Sequence, residues 1–183
     1  MKIYTKQGDT GRTMIFGGKR LSKVSSRIKS LGEIDELNSL FGIISIYCTY
    51  IEILEKLTRE QSNLLRLGAD IATPIEADAK FQNAVKRIEA KDIQTLESEI
   101  DKWESELEKL TKFILPGGSK VSAFTHHARS VCRRAERTVV KLNNEEEINT
   151  EAIRYLNRLS DWLFTLARYL NKLNKVEDTP NPN

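Results

Sequence analysis

The side chains best placed to do chemistry stand at the beginning of the chain, in Tyr4-Thr5-Lys6-Gln7-Gly8-Asp9-Thr10-Gly11-Arg12-Thr13. Two glycines let a backbone approach a ligand closely, three threonines offer hydroxyl donors, and Lys6 and Arg12 supply positive charge, the makings of an anion cradle. The spacing fits neither G-x-G-x-x-G nor a Gly-Lys-Ser/Thr loop, so neither a dinucleotide fold nor a P-loop is supported. A second cationic group lies far along the chain. Arg129, Arg133 and Arg137 recur every fourth residue with Arg134 beside them, which puts three guanidinium groups on one face of a helix. Like charges at that spacing cost about 0.2–0.5 kcal/mol each. A polyanion turns that cost into binding through bidentate contacts; a plain solvated basic face is the alternative. Only Glu136 is near enough in sequence to offset the row. Further on, Asn157 and Asp161 lie four apart among leucines, and an asparagine facing a bundle interior needs a hydrogen-bonding partner. Asp35, Glu36 and Asn38 interrupt an earlier apolar stripe.

Other familiar chemistries are disfavoured. His126 and His127 are adjacent, so on a helix they diverge by about 100° and cannot share a metal ion. No Glu-x-x-His pair is present, which argues against a di-iron carboxylate bundle. Cys48 and Cys132 lack redox or metal spacing, and no serine, histidine and aspartate set stands out as a triad. An enzyme built this way takes its nucleophile from a substrate or cofactor.

The elements that position these residues follow from hydrophobic period. Ser25 or Ser26 opens a helix with Ile28, Leu31, Ile34, Leu37, Phe41 and Ile44 on one stripe. A second helix carries Leu54, Leu57, Leu64, Leu65 and Ile71 and ends at Thr73-Pro74. A third carries Ile93, Leu96, Ile100, Trp103, Leu107 and Leu110. Leu115-Pro116-Gly117-Gly118-Ser119 breaks the pattern, and Ser119 caps a fourth helix through Val139, whose first free N–H groups offer further anion or oxygen contacts. A fifth starts at Asn149 or Thr150. The expectation is one all-α domain over 1–176: a five-helix bundle with an irregular or short-stranded N-terminal arm over 1–24. The tail, 177–183, has no apolar content in Asp178-Thr179-Pro180-Asn181-Pro182-Asn183 and is expected to be disordered. The chain's 183 residues carry a net charge of only +3, which does not suggest a nucleic-acid binder. With no membrane-length apolar run and no disulfide pattern, the expected location is cytoplasmic.

Five blocks, in order, resemble the PduO-type ATP:cob(I)alamin adenosyltransferases, which are ferritin-like helical bundles: Tyr4-Thr5-Lys6-x-Gly8-Asp9-x-Gly11-x-Thr13, Asp35-Glu36-Leu37-Asn38, Leu115-Pro116-Gly117-Gly118, Val131 to Arg137, and Tyr155 to Asp161. Residues 45–110 carry little of the likeness. The resemblance implies a homotrimer that transfers the 5′-deoxyadenosyl group of ATP to the cobalt of cob(I)alamin and releases triphosphate, with Mg²⁺ accompanying the nucleotide. It implies nucleotide contacts from Thr5, Lys6, Gln7, Gly8, Gly11, Thr13, Met14 and Lys23 of the arm, and from Arg133, Arg134, Glu136, Arg137 and Asn157. Arg133, Glu136, Asn157 and Phe113 are the implied catalytic set, with Phe113 on the lower face of the corrin. Asp35 and Arg129 are implied to bridge neighbouring subunits. ATP and a corrinoid are the implied substrates, and an electron-donating reductase an implied partner. A nucleotide-sensing helical module without chemistry is the rival from another class.

Overall fold

The computed structural model describes residue 4 and residues 6–182. A short hairpin, β1 (Arg12–Met14) and β2 (Arg20–Ser22), precedes α1 (Ser26–Tyr47) and α2 (Ile51–Ala72). A one-turn helix, α3 (Ala79–Gln82), then leads to α4 (Ala90–Glu104), β3 (Ile114–Leu115), α5 (Lys120–Glu145), α6 (Glu151–Leu173) and β4 (Thr179–Pro180). The five long helices are those the hydrophobic period predicts; α3 is additional, too short to leave a periodic trace.

Helix ends follow local chemistry. Ser119 caps α5, its hydroxyl accepting the Ser122 amide at 3.3 Å. Ser25 holds the N-cap position of α1 without a side-chain cap bond. Glu89 and Asp92 close a reciprocal capping box on α4. The stripe of α4 continues in sequence to Leu110, yet the helix stops at Glu104. The carbonyls of Glu106 and Glu108 are taken instead by Lys172 and Arg168 of α6, at 2.8 and 2.7 Å, so tertiary bonds replace the next helical turn.

α1 packs between α2 and α5, and α6 between α5 and α4. The Thr138–Glu33 and Arg134–Glu36 contacts fix α1 and α5 as antiparallel neighbours. The core centres on Trp103, Trp162, Phe41 and a leucine lattice, with the two indoles 5.2 Å apart. One polar cluster crosses it. The Tyr155 hydroxyl donates to Glu60 at 2.5 Å, Arg59 bridges Glu60 and Glu99, and Glu99 also accepts from Lys56 and from the Trp162 indole at 2.6 and 2.8 Å. Every buried polar atom in that chain of contacts has a partner, as burial in a medium of low polarity requires.

The tail departs from expectation. Thr179 and Pro180 pair antiparallel with Leu115 and Ile114, and Asp178 is held by Arg168 at 2.8 Å. Apolar burial is not what orders it; backbone pairing and one ion pair are. Among the described residues no helix is long and apolar enough to cross a membrane.

Candidate active site on the face of helices five and six

The hairpin stands on the rim of the bundle. Ile15 is buried, and the rings of Phe16 and Phe81 meet edge to face at 5.3 Å, seating β1 and β2 on the connection after α2. At its root, Arg27 is fully buried, bound to Glu146 at 2.8 Å and to the Ile71 carbonyl, which fixes where α1 begins. In the loop, Gly11 has φ +75, a conformation that favours glycine, and its carbonyl accepts the Lys23 amide at 2.9 Å. A Cβ on Gly8 would come within 3.1 Å of the Lys23 ammonium, so that cation lies against the loop backbone. Lys6, Gly8, Gly11 and Lys23 thus share one small surface. Gln7 joins it through its carbonyl, which accepts from Arg20 at 3.4 Å. Thr13 is half-buried in β1 and Met14 exposed beside it; Thr5 lies outside the described residues.

The arginine row divides by partner. Arg134 is paired with Glu36 across the α1–α5 contact. Arg129 is half-buried, with its guanidinium 5.2 Å from the centre of the Phe164 ring, a cation–π contact. Arg133 and Arg137, both exposed, have no hydrogen bond or ion pair among the described residues. Glu136 spends its charge elsewhere, accepting from the Asn157 amide at 2.9 Å. Asn157 and Asp161 are exposed, so the expectation of an asparagine facing the bundle interior is corrected: the buried stripe of α6 runs through Tyr155, Leu156 and Leu159 and turns Asn157 outward.

One helical turn from this polar cluster opens a cleft of about 840 Å³ lined by Arg129, Arg158, Asp161, Phe113 and Phe164, with Ile100 and Leu110 on its wall. Arg129 and Arg133 are i and i+4 on α5, and Asn157 and Asp161 are i and i+4 on α6, so the cleft and the cluster share one face of two adjacent helices. Phe113 is 87% exposed, so it does not serve as a core anchor.

The Ser119 end of α5 has two of its amides already taken. Its Ser119 amide is donated to Asn171 Oδ1 at 2.9 Å and its Ser122 amide to Ser119. It also lies about 21 Å along the helix from Arg133, at 1.5 Å per residue. His126 is buried with neither ring nitrogen hydrogen-bonded among the described residues. Burial, with Arg129 nearby, lowers its pKa and keeps it neutral. Cys132 is fully buried, and that burial pushes its thiol well up, a packing residue in the protonated form. Asp35 is exposed on α1 and is not paired with Arg129 within the chain. Sequence reading missed the Glu36 partner of Arg134, and Phe164 and Arg158 as cleft residues; only their spacing of four and three from Ser160 and Asp161 hinted at the last two.

Fold and face together define a helical bundle that offers unpaired guanidinium groups beside an aromatic-walled cleft, an arrangement suited to a polyphosphate next to a large planar ligand. Comparison with known proteins narrows this. The cobalamin adenosyltransferase family model matches residues 3–170. The corrinoid adenosyltransferase of Bacillus subtilis (strain 168) is 43% identical, with 97% of this chain and 91% of that protein covered. The human corrinoid adenosyltransferase MMAB is 42% identical over 92% of this chain and 68% of its own. Among solved structures, a phenylalanine-to-alanine variant of the PduO-type ATP:corrinoid adenosyltransferase from Lactobacillus reuteri, complexed with cobalamin and ATP, superposes with a TM-score of 0.93 at 38% identity, covering all of both chains. The chain belongs to the cobalamin adenosyltransferase family.

Proposed function

We propose that this protein transfers the 5′-deoxyadenosyl group of ATP to the cobalt of a cob(I)alamin. The lone pair of the reduced cobalt attacks C5′, the C5′–O bond breaks, and its electron pair leaves with triphosphate. Cobalt passes formally from the +1 to the +3 state, so no side-chain nucleophile is required. The protein contributes position and charge. Arg133 and Arg137, with Lys6 and Lys23 of the arm, hold the triphosphate and stabilise the charge that develops on it. Glu136, oriented by Asn157, directs the nucleoside or its metal. Arg134, already paired with Glu36, has the smaller share.

The observation that carries this assignment is the adjacency on α5 and α6: unpaired guanidinium groups stand one turn from a cleft walled by Phe113 and Phe164. A cobalt held there lies next to the carbon it must attack. Phe113, exposed over the cleft, takes the lower face of the corrin and displaces the axial base. Cobalt(II) without that donor is the easier to reduce.

No three His, Cys, Asp or Glu side chains come together among the described residues to hold an ion. A Mg²⁺ fits this site only as a companion of ATP, ligated by phosphate oxygens with at most one carboxylate such as Glu136; it would offset phosphate charge. Among the described residues Asp35, exposed on α1, has no ion pair, and Arg129 has a ring contact and no ion pair. Both are suited to bridging copies in a homotrimer, with the arm of one copy closing over the arginine row of the next. A separate reductase supplies the electron.

The test is to mix the protein with ATP and chemically reduced cobalamin, following the corrin absorbance and released triphosphate. Adenosylcobalamin and triphosphate in equal amounts are expected. ATP binding without a cobalt–carbon product would overturn the assignment in favour of a sensor.

A further inference from the structure

Asn171 joins two segments that are far apart in sequence. It lies near the end of α6 and is 2% exposed. Its Oδ1 accepts from the Ser119 amide and hydroxyl at 2.9 and 3.1 Å, and its Nδ2 donates to the Gly117 carbonyl and to Asp178 Oδ1, both at 3.1 Å. Both donors and both acceptor sites of the amide are therefore in use. The second carboxylate oxygen of Asp178 accepts from Arg168 at 2.8 Å, and Arg168 also holds the Glu108 carbonyl. Past Asp178 the chain pairs with β3, and the Asn181 amide donates to the Phe113 carbonyl at 2.7 Å.

The tail thus grips the Phe113 segment at and after the aromatic residue, while Arg168, the partner of Asp178, holds the Glu108 carbonyl before it. The Phe113 side chain, largely in solvent, has no core packing to fix its direction, so its backbone must do so. A group that has to meet a ligand within a fraction of an ångström needs such support from residues that never touch the ligand. Building on the adenosyltransferase assignment, we propose that residues 176–182, anchored on Asn171, form a clasp that holds Phe113 in place for the corrin. Asn171 and Asp178 are then positioning residues for the transfer.

Two variants test this: a chain ended after Asp178, which removes β4 and the Asn181 bond but spares the core, and Asp178→Ala. Amide hydrogen exchange of residues 113–119, measured with ATP bound and corrinoid absent, reads the clasp by itself. It should quicken about tenfold or more in both variants. ATP affinity should stay within about twofold, while kcat and the fraction of bound cob(II)alamin lacking a lower axial ligand, read from its absorbance, fall about fivefold or more. Unchanged exchange at 113–119 would overturn the clasp whatever the enzyme does. Faster exchange with full turnover would overturn its positioning role, and so would a parallel loss of ATP affinity and melting temperature, which marks a merely structural tail. Failure of the intact protein to make adenosylcobalamin would instead overturn the assignment of function.

Discussion

Phe113 and the arginines of α5 differ in what their removal should disturb. Because Phe113 buries almost nothing, Phe113→Ala should leave the melting temperature and ATP affinity nearly unchanged while turnover falls by about tenfold or more; parallel loss of all three would mean a folding role. Arg133→Ala removes a cation that has no partner to strand among the described residues. It should weaken ATP binding by about 1.5–3 kcal/mol, the range for a hydrogen bond to a charged group, at no cost in stability. Arg134→Ala breaks an exposed pair with Glu36, worth about 0–1 kcal/mol of stability, and should cost less ATP affinity than Arg133→Ala in the same titration. The spacing of the row could be read from sequence because i, i+4 neighbours are set by helix geometry alone. Which arginine is neutralised could not, since Glu36 lies 98 residues from Arg134 and only the packing of α1 on α5 brings them together.

Helix periods located all five long elements, because each buries a continuous apolar stripe. Three features escaped: the one-turn α3, the early end of α4, decided by carbonyl partners on α6, and the β3–β4 pair, whose two-residue strands carry no alternation to detect. Gly118, with φ +98, faces the Asn171 amide so closely that any Cβ would collide with it; Gly118→Ala should therefore destabilise the protein by about 1–3 kcal/mol in a denaturant titration. The cluster joining α2, α4 and α6 predicts a pH dependence. Burial acts to raise the Glu99 carboxyl, but the bonds from Arg59, Lys56 and Trp162 outweigh it and hold the group down at about 2, against an ordinary 4.5. A depressed carboxylate adds stability that is complete above pH 4.5 and lost as pH falls toward 2. Acid titration followed by tryptophan fluorescence should show that loss in the intact protein, and a flatter profile over the same window in Glu99→Gln.

On the scale of the whole molecule, the arm's cations and the arginine row belong to different elements, and in the proposed trimer the arm of one copy meets the row of the next. If Asp35 and Arg129 form that bridge, Asp35→Arg should shift sedimentation from trimer toward monomer and reduce turnover. The double exchange Asp35→Arg with Arg129→Asp should restore the trimer in sedimentation. A buried pair broken on one side costs about 3–5 kcal/mol, enough to dissociate an assembly of modest affinity. The polar cluster in the core has one more consequence. Leucine stripes alone would tolerate a slip of α4 by one turn, about 5.4 Å, exchanging one aliphatic contact for another. Glu99 cannot follow such a slip without abandoning all three of its donors at once, so the cluster acts as a detent that lets the helices seat in a single alignment and sets where the chain departs toward Phe113.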